Sequence, residues 1–308
     1  MIARYRLSLP QRRQQDSVLR RLVEWMDRRE EIRLRRLRGE EPPWTSDPIL
    51  RMYRFTNVCR RDDRVSLWIR QNITARVGST PCLPDFQMIA LGRWINWPPT
   101  LREVIDKGLW PSSHLDLVAV GRLIDRRVSQ DEKAWTGAYM IRSEPTHRGG
   151  KGKFIAERVV GRGLTRIWPE MIFALQTRMR RPVWRVLIDG YNWGSFMAGQ
   201  VVDDLTWTPL LDHPRDDLTW APQGPGSLRG LNRLLGLPLR TMHSELFWCQ
   251  KLQEIYWSEP VQAWHLHHSP LRLSLMDLQS VLCEWDKYER VRLGEGRPRS
   301  LYRPETAF

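Results

Sequence analysis

The stretch YRFTNVCRRDDRVS, residues 53 to 66, sets Asn57, Arg60, Arg61, Asp62, Asp63 and Arg64 among apolar positions. Each of these polar groups is costly to bury unless it is paired. Read as a helix, the stretch puts Asn57, Arg60 and Arg64 on one stripe, beside an apolar stripe of Val58, Val65 and Ile69. Two guanidinium groups on one stripe offer fixed positive charge to a phosphate and Asn57 can read a base edge, so a charged nucleotide is the expected ligand. The same residues also suit a structural ion-pair network in which Asp63 holds Arg60.

Two glycine-bearing stretches offer phosphate chemistry of another kind. LIDGYNWGSFMAGQVVDDL places Gly190 and Gly194 between apolar segments, with Ser195 opening a helix whose small residues Ala198 and Gly199 permit close packing. APQGPGSLRGLNRLLG repeats the pattern: Gly224 and Gly226 flank Pro225, Ser227 is placed to cap, and Arg229 and Arg233 follow on the helix. Both read as helix-hairpin-helix turns, in which glycines let the backbone approach DNA and the free N–H groups of the second helix hold a phosphate. A plain interhelical turn is the alternative at each.

The elements that must position these groups are mainly helical. Periodic segments around 48 to 75, 85 to 108, 115 to 128, 152 to 180 and 194 to 205 suit helices, with breaks at Gly and Pro clusters. Residues 11 to 41 are Arg-dense, with Val18, Leu22, Trp25 and Met26 at helical spacing, and are expected to form an arm (residues 1–47) ahead of a larger domain (48–308). Few strands are expected; the candidates are WTGAYMIRS and WRVLIDG. The loop THRGGKGK lacks the spacing of a phosphate-binding loop, so a P-loop kinase is excluded.

Composition agrees with an anionic partner. The 308 residues include 49 Lys and Arg against 35 Asp and Glu, a net charge of +14, and 16 Trp that offer flat surfaces for bases. Nucleic acid is the expected partner; charge that merely keeps the chain soluble is the alternative. Cys59, Cys82, Cys249 and Cys283 are scattered and form no CxxC pair, so reduced thiols are expected. His265, His267 and His268 lack companion ligands at metal-binding spacing, and no metal site is expected. The first residues, MIARYRLSLPQRR, carry no signal-peptide core, and no apolar run reaches bilayer length. A soluble cytoplasmic protein without membrane partners is expected.

Six stretches in order, FTNVCRRDDRVS, ALGRWINWPPTL, TGAYMI, GSFMAGQVVDDL, GPGSLRGLNRL and LCEWDKYERV, resemble the alpha-glutamyl/putrescinyl-thymine pyrophosphorylases. That group includes the helical domain of 5-hydroxymethyldeoxyuridine DNA kinases and the amino acid:DNA transferases of phages with hypermodified thymine. The resemblance implies a DNA-glycosylase-like helical fold that acts on a thymine-derived base in phage DNA within the bacterial host. It carries site status to Asn57, Arg60, Asp63 and Arg64, to Arg93 and Asn96, to Gln200 and Asp204, and to Glu284, Asp286, Lys287 and Tyr288. The GYNWG turn is longer than the GxG more common in glycosylases.

The implied substrate is duplex DNA carrying phosphorylated 5-hydroxymethyluracil, made by a DNA base kinase of the same pathway. An amine, an amino acid such as glycine or a polyamine, replaces the phosphate or pyrophosphate. The base must be flipped out. The leaving phosphate needs positive charge, here Arg60 and Arg64, and the amine must lose a proton to a carboxylate, for which Asp63, Asp204, Glu284 and Asp286 are candidates. Lys287 suits the carboxylate of an amino-acid co-substrate. Assistance by Mg²⁺ stays open. So do a base-excising glycosylase, with Asp203 or Asp204 after the hairpin, and a non-catalytic DNA-binding partner of the kinase.

Overall fold

The structure is a computed structural model that describes residues 9–111, 114–137, 149–298 and 301–302, with residues 9–14 described by their backbone alone. The described residues are mainly helical. They form α1 (Leu9–Leu37), α2 (Pro48–Met52), α3 (Arg64–Asn72), α4 (Leu83–Ile95), α5 (Pro98–Asp106), α6 (Leu117–Ser129) and α7 (Lys151–Lys153). A π-helical stretch, Phe154–Gly163, leads into α8 (Leu164–Gln176), followed by α9 (Arg180–Ile188), α10 (Ser195–Leu205), α11 (Pro225–Leu235), α12 (Glu245–Tyr256), α13 (Glu259–His267) and α14 (Leu275–Arg292). Extended pairing among the described residues is one antiparallel bridge between Tyr53 and Leu301.

Local chemistry sets these boundaries. Asp47 caps α2 by accepting from Ile49 and Leu50 N–H, Asp116 caps α6 through Ala119 N–H, and Ser274 and Asp277 form a reciprocal capping box on α14. Proline stands in the first turn of α2, α4, α5, α11 and α13, where its missing N–H costs nothing. Gly236 ends α11 in the left-handed conformation at φ 66°.

Two sequence expectations are corrected. WRVLIDG is not a strand: residues up to Ile188 belong to α9, where Val183 and Leu187 share the buried face at i, i+4 spacing and tertiary packing overrides β propensity. WTGAYMIRS lies from Ala138 onward outside the described residues. The single helix expected around 48 to 75 is also broken. Asn57 and Val58 lie in the non-helical stretch after α2, Arg60–Asp62 form one 3₁₀ turn, and α3 begins at Arg64, so Asn57, Arg60 and Arg64 do not share a helical stripe.

The chain divides into two compact units. Among the described residues, one takes those up to Arg60 and from Gln223 onward; the other takes Arg61–Pro222. The Arg-rich helix α1, expected as an arm, packs in the first unit against α11, α13 and α14. Its apolar positions Val18, Leu22, Trp25 and Met26 are buried as their spacing requires. The second unit has a continuous core in which Phe86, Ile89, Phe154, Val160, Leu187 and Val201 are all fully enclosed.

Candidate active site and nucleic-acid interface

In the second unit, α9 and α10 pack against one another and are joined by the turn at 189–194, in which Asn192 stands at φ 64°. Gly190 is sterically required: a Cβ there would lie 2.9 Å from Leu187 O and 3.0 Å from the Trp193 ring. Gly194 is different. It is exposed at the start of α10, with no atom within 4 Å of where a Cβ would stand. Trp184 Nε1 donates to Ser195 O at 3.1 Å and ties the turn to α9. Arg181 and Arg185 lie exposed on α9. A helix N-terminus with an open approach and nearby basic residues suits a backbone phosphate.

The helix opened by this turn carries Gln200 and, one turn on, Asp204. Asp204 is fully buried and Arg93 of α4 meets it with two prongs, Nε and Nη2 each donating to one carboxylate oxygen at 2.5 Å. Arg93 also donates to Ser66 Oγ at 3.0 Å and to Asn96 Oδ1 at 3.5 Å. Asn96 ends α4 in the left-handed conformation at φ 46°, which asparagine tolerates better than other side chains. Two separate sequence motifs thus deliver Arg93, Asn96 and Asp204 to one buried polar centre at the α4–α10 contact, with Gln200 buried one turn before Asp204.

The first unit assembles a second group. Residues 54–59, without regular secondary structure, run past α14 and are held by side chains. Glu284 accepts from Thr56 N–H at 3.0 Å, and Asp277, two turns earlier on α14, accepts from Arg60 N–H at 2.9 Å. Lys287 donates to Arg54 O at 2.8 Å and to Glu284 at 2.5 Å. From α1, Arg29 donates to Thr56 O at 2.9 Å and to Asn57 Oδ1 at 2.6 Å. Polar residues between apolar ones here serve to satisfy the backbone of an irregular segment. Tyr288 donates to Asp47 at 2.7 Å; its burial and the Asp47 carboxylate push its hydroxyl up to about 12, so at neutral pH it is a hydrogen-bond donor and not a base.

Residues 16–297 match the family model described as the 5-hmdU DNA kinase, helical domain. The chain belongs to this family. Neither the curated proteins nor the solved structures compared with it gave a match.

This family member departs from the sequence reading at its second glycine stretch. The turns at 206–220 and an irregular stretch precede α11, so the Gly224–Gly226 turn does not join two helices. Its glycines serve packing: a Cβ on Gly226 would lie 2.3 Å from Cys283 Sγ, and one on Gly230 2.2 Å from Leu282 O of α14. Ser227 is buried at the third position of α11, accepting from Gly224 N–H at 3.1 Å and from Gln279 Nε2 at 3.0 Å. Arg229 and Arg233 each donate through Nε to Asp286 at 2.8 Å, with Asp286 fully buried. Burial at this helix contact pushes the Cys283 thiol up to about 11.

The remaining assigned residues divide at the unit boundary: Asn57 and Arg60 belong to the first unit, Asp63 and Arg64 to the second. Asp63 immediately precedes α3 and Arg64 is its exposed first residue. The glycines of GGKGK, residues 149–153, cradle an internal carboxylate, since Asp125 accepts from Gly152 N–H at 2.7 Å and Lys153 N–H at 3.1 Å; residues 146–148 lie outside the described ones. Among the described residues no group of His, Cys, Asp and Glu is placed to hold a metal ion. No helix among them is long and apolar enough to cross a membrane.

Sequence reasoning missed three groups. Ser66 completes the Arg93 centre, Arg29 fixes Asn57, and Arg180 at the start of α9 donates to Asp203 at 3.0 Å and Asp217 at 2.5 Å while Asp216 accepts from Arg180 and Arg181 N–H. Arginines and carboxylates with no spacing pattern carried no signal of these pairings.

Proposed function

We propose that this chain acts on hydroxymethyluracil in phage DNA during thymine hypermodification, as a transferase with a DNA-glycosylase-like helical fold. It binds duplex DNA, takes a 5-(phospho- or pyrophospho-oxymethyl)uracil out of the stack, and joins the 5-methylene to an amine. The observation that carries this reading is the placement of Asp204. It lies on the helix that the Gly194–Ser195 turn opens, one helical turn beyond Gln200, and beside Arg93 and Asn96 from a separate motif. A phosphate-holding turn and a buried carboxylate on one helix form a base-handling arrangement.

In the reaction, the amine nitrogen forms a bond to the 5-methylene carbon while the C–O bond to the phosphate or pyrophosphate breaks and that group departs with its electron pair. The amine proton passes to a carboxylate; Asp204, held by both prongs of Arg93 and buried, can serve only once that pair opens, and Arg93 released from it then offers positive charge to the departing group. A DNA base kinase of the same pathway is the natural supplier of the substrate, in keeping with the family to which the chain belongs.

A second reading, a non-catalytic DNA-binding partner of such a kinase, is favoured by one observation. Asp204, Asp286 and Glu284 are each engaged by Arg or Lys of their own unit. The deciding experiment incubates the protein with kinase-phosphorylated hydroxymethyluracil DNA and glycine, then analyses the nucleosides by mass spectrometry. A nucleoside heavier by the amine supports the transferase. Released free base would mean a glycosylase, and unchanged nucleosides with retained DNA binding would favour the partner.

A further inference from the structure

The first unit contains a cavity of about 340 Å³ between α1, the segment 42–45, α2 and the Tyr53–Leu301 bridge. None of its lining residues belongs to the centres described above, except that Arg29, which holds Asn57, forms part of its wall. Among the described residues three arginines line it, Arg29, Arg36 and Arg51, and none of the lining residues is acidic. Among the described residues Arg36 and Arg51 have no carboxylate partner; Arg36 instead lies over the Trp44 ring at 5.3 Å. Both arginines are exposed, at the mouth, while Tyr53 and Phe55 are buried.

The aromatic side of the cavity is built from Trp44 and Tyr302, set edge to face at 6.4 Å. The main chain of Tyr302 donates to Met52 O at 2.9 Å, and this clip closes the cavity over α2. The Tyr302 hydroxyl oxygen is shielded from solvent and has no hydrogen-bond partner among the described residues. A buried hydroxyl without a partner is costly, and a ligand that reaches it relieves the cost.

We infer that this cavity is a nucleotide site, which takes a planar base against Trp44 and Tyr302 and a phosphate at Arg36 and Arg51. Each part of the ligand answers a feature of the wall. Aromatic faces stack on bases without regard to sequence, and two guanidinium groups with no carboxylate partner among the described residues select an anion. The volume lies within the range of small-molecule and cofactor sites, at its lower end, as a single nucleotide requires. The base meets half-buried aromatic groups and the phosphate exposed arginines, so the nucleotide is either a free nucleoside monophosphate or an unstacked residue of a DNA strand. The inference is independent of the transferase reading, since it concerns binding and rests on other residues.

The test is calorimetric titration of the full chain with thymidine 5′-phosphate, thymidine, inorganic phosphate and single-stranded oligothymidylate. Saturable binding of the monophosphate is expected, tighter than that of thymidine or phosphate alone. Trp44→Ala should weaken it about tenfold, the usual effect of removing one stacking partner. Arg51→Gln, a change at an exposed position that leaves packing untouched, should weaken the monophosphate but not thymidine. If oligothymidylate displaces the monophosphate and its own binding needs Trp44, the nucleotide belongs to a strand; if its binding ignores Trp44, the nucleotide is free. Absence of saturable monophosphate binding, or binding indifferent to both substitutions in proteins that melt like the parent, overturns the assignment.

Discussion

Arg93 and Asp204, 111 residues apart in sequence, meet as a two-pronged ion pair with both side chains sealed from solvent. Such a pair is a weak source of net stability but a strict one: removing either partner strands the other charge in a medium that cannot solvate it. Arg93→Ala should therefore destabilise the protein by about 3 to 5 kcal/mol. Asp204→Asn keeps the shape but leaves one acceptor, turns an amide N–H toward an Arg93 donor and strands the Arg93 charge, so a loss of similar size is expected. Chemical denaturation of the two variants checks this, and a loss below about 1 kcal/mol in both would show that the pair does not stabilise the fold.

Glycines that look alike in sequence make opposite predictions. Gly230→Ala drives a methyl group into Leu282 O at 2.2 Å, backbone that cannot yield, so a loss of about 3 kcal/mol is expected, at the upper end for overpacking. Gly194→Ala meets nothing within 4 Å at an ordinary extended φ of −93° and should change stability by less than about 0.5 kcal/mol. Its effect should appear instead as weaker DNA binding, because the methyl group stands where a phosphate backbone approaches α10. Melting curves beside a DNA titration separate the two roles.

Much of this was legible in the sequence, and the failures have identifiable causes. The helical class, the buried stripe of α1 and the α9–α10 hairpin follow from apolar spacing and glycine placement, which are local properties. The helix drawn through Asn57 and Arg64 failed because spacing alone cannot tell a helix from an irregular segment whose N–H and C=O groups are satisfied by side chains of distant helices. Glu284 and Asp277 lie more than 200 residues away from Thr56 and Arg60, and nothing near the segment announces them. In the same way Arg229 and Arg233 read as phosphate ligands until α14 supplied Asp286.

Two groups on α14 tie stability to alkaline pH. Cys283 moves from 9.0 to about 11, chiefly through burial, and Tyr288 from 10.0 to about 12, through burial and then Asp47. The folded protein binds both protons more tightly than the unfolded chain. Their contribution is therefore complete below about pH 9 and is lost as pH rises toward 11 and 12. Tyr288→Phe should flatten the upper part of that decline and cost about 1 kcal/mol at neutral pH through the lost bond to Asp47. Urea midpoints measured from pH 7 to 11 test this, and an unchanged alkaline slope in the variant would remove Tyr288 from the account.

DNA held mainly through backbone phosphates should show a logarithmic affinity that falls with log salt at about 0.9 per phosphate neutralised. Arg181→Ala and Arg185→Ala, on the helix before the Gly194 turn, should each lower that slope for every sequence alike. Ser227→Ala should act differently, since its hydroxyl accepts from Gly224 N–H and from Gln279. Loss of stability with an unchanged salt slope is the expected result there. A Ser227 variant that melts normally yet binds DNA more weakly would return the second glycine stretch to the DNA interface.

Arg64 offers the sharpest test of the segment with which the sequence begins to suggest chemistry. It is the exposed first residue of α3, where a cation faces the positive end of the helix macrodipole, so helix stability does not account for its presence. Arg64→Ala should leave stability within about 0.5 kcal/mol of the parent. If Arg64 faces the departing phosphate, single-turnover rates on phosphorylated hydroxymethyluracil DNA should nevertheless fall about 10²-fold, the usual cost of losing one fixed donor to developing charge. Arg60→Ala is the necessary companion, because the Arg60 main chain stays anchored to Asp277 whatever its side chain. A protein that melts early but keeps its rate per folded molecule would assign both arginines to the scaffold.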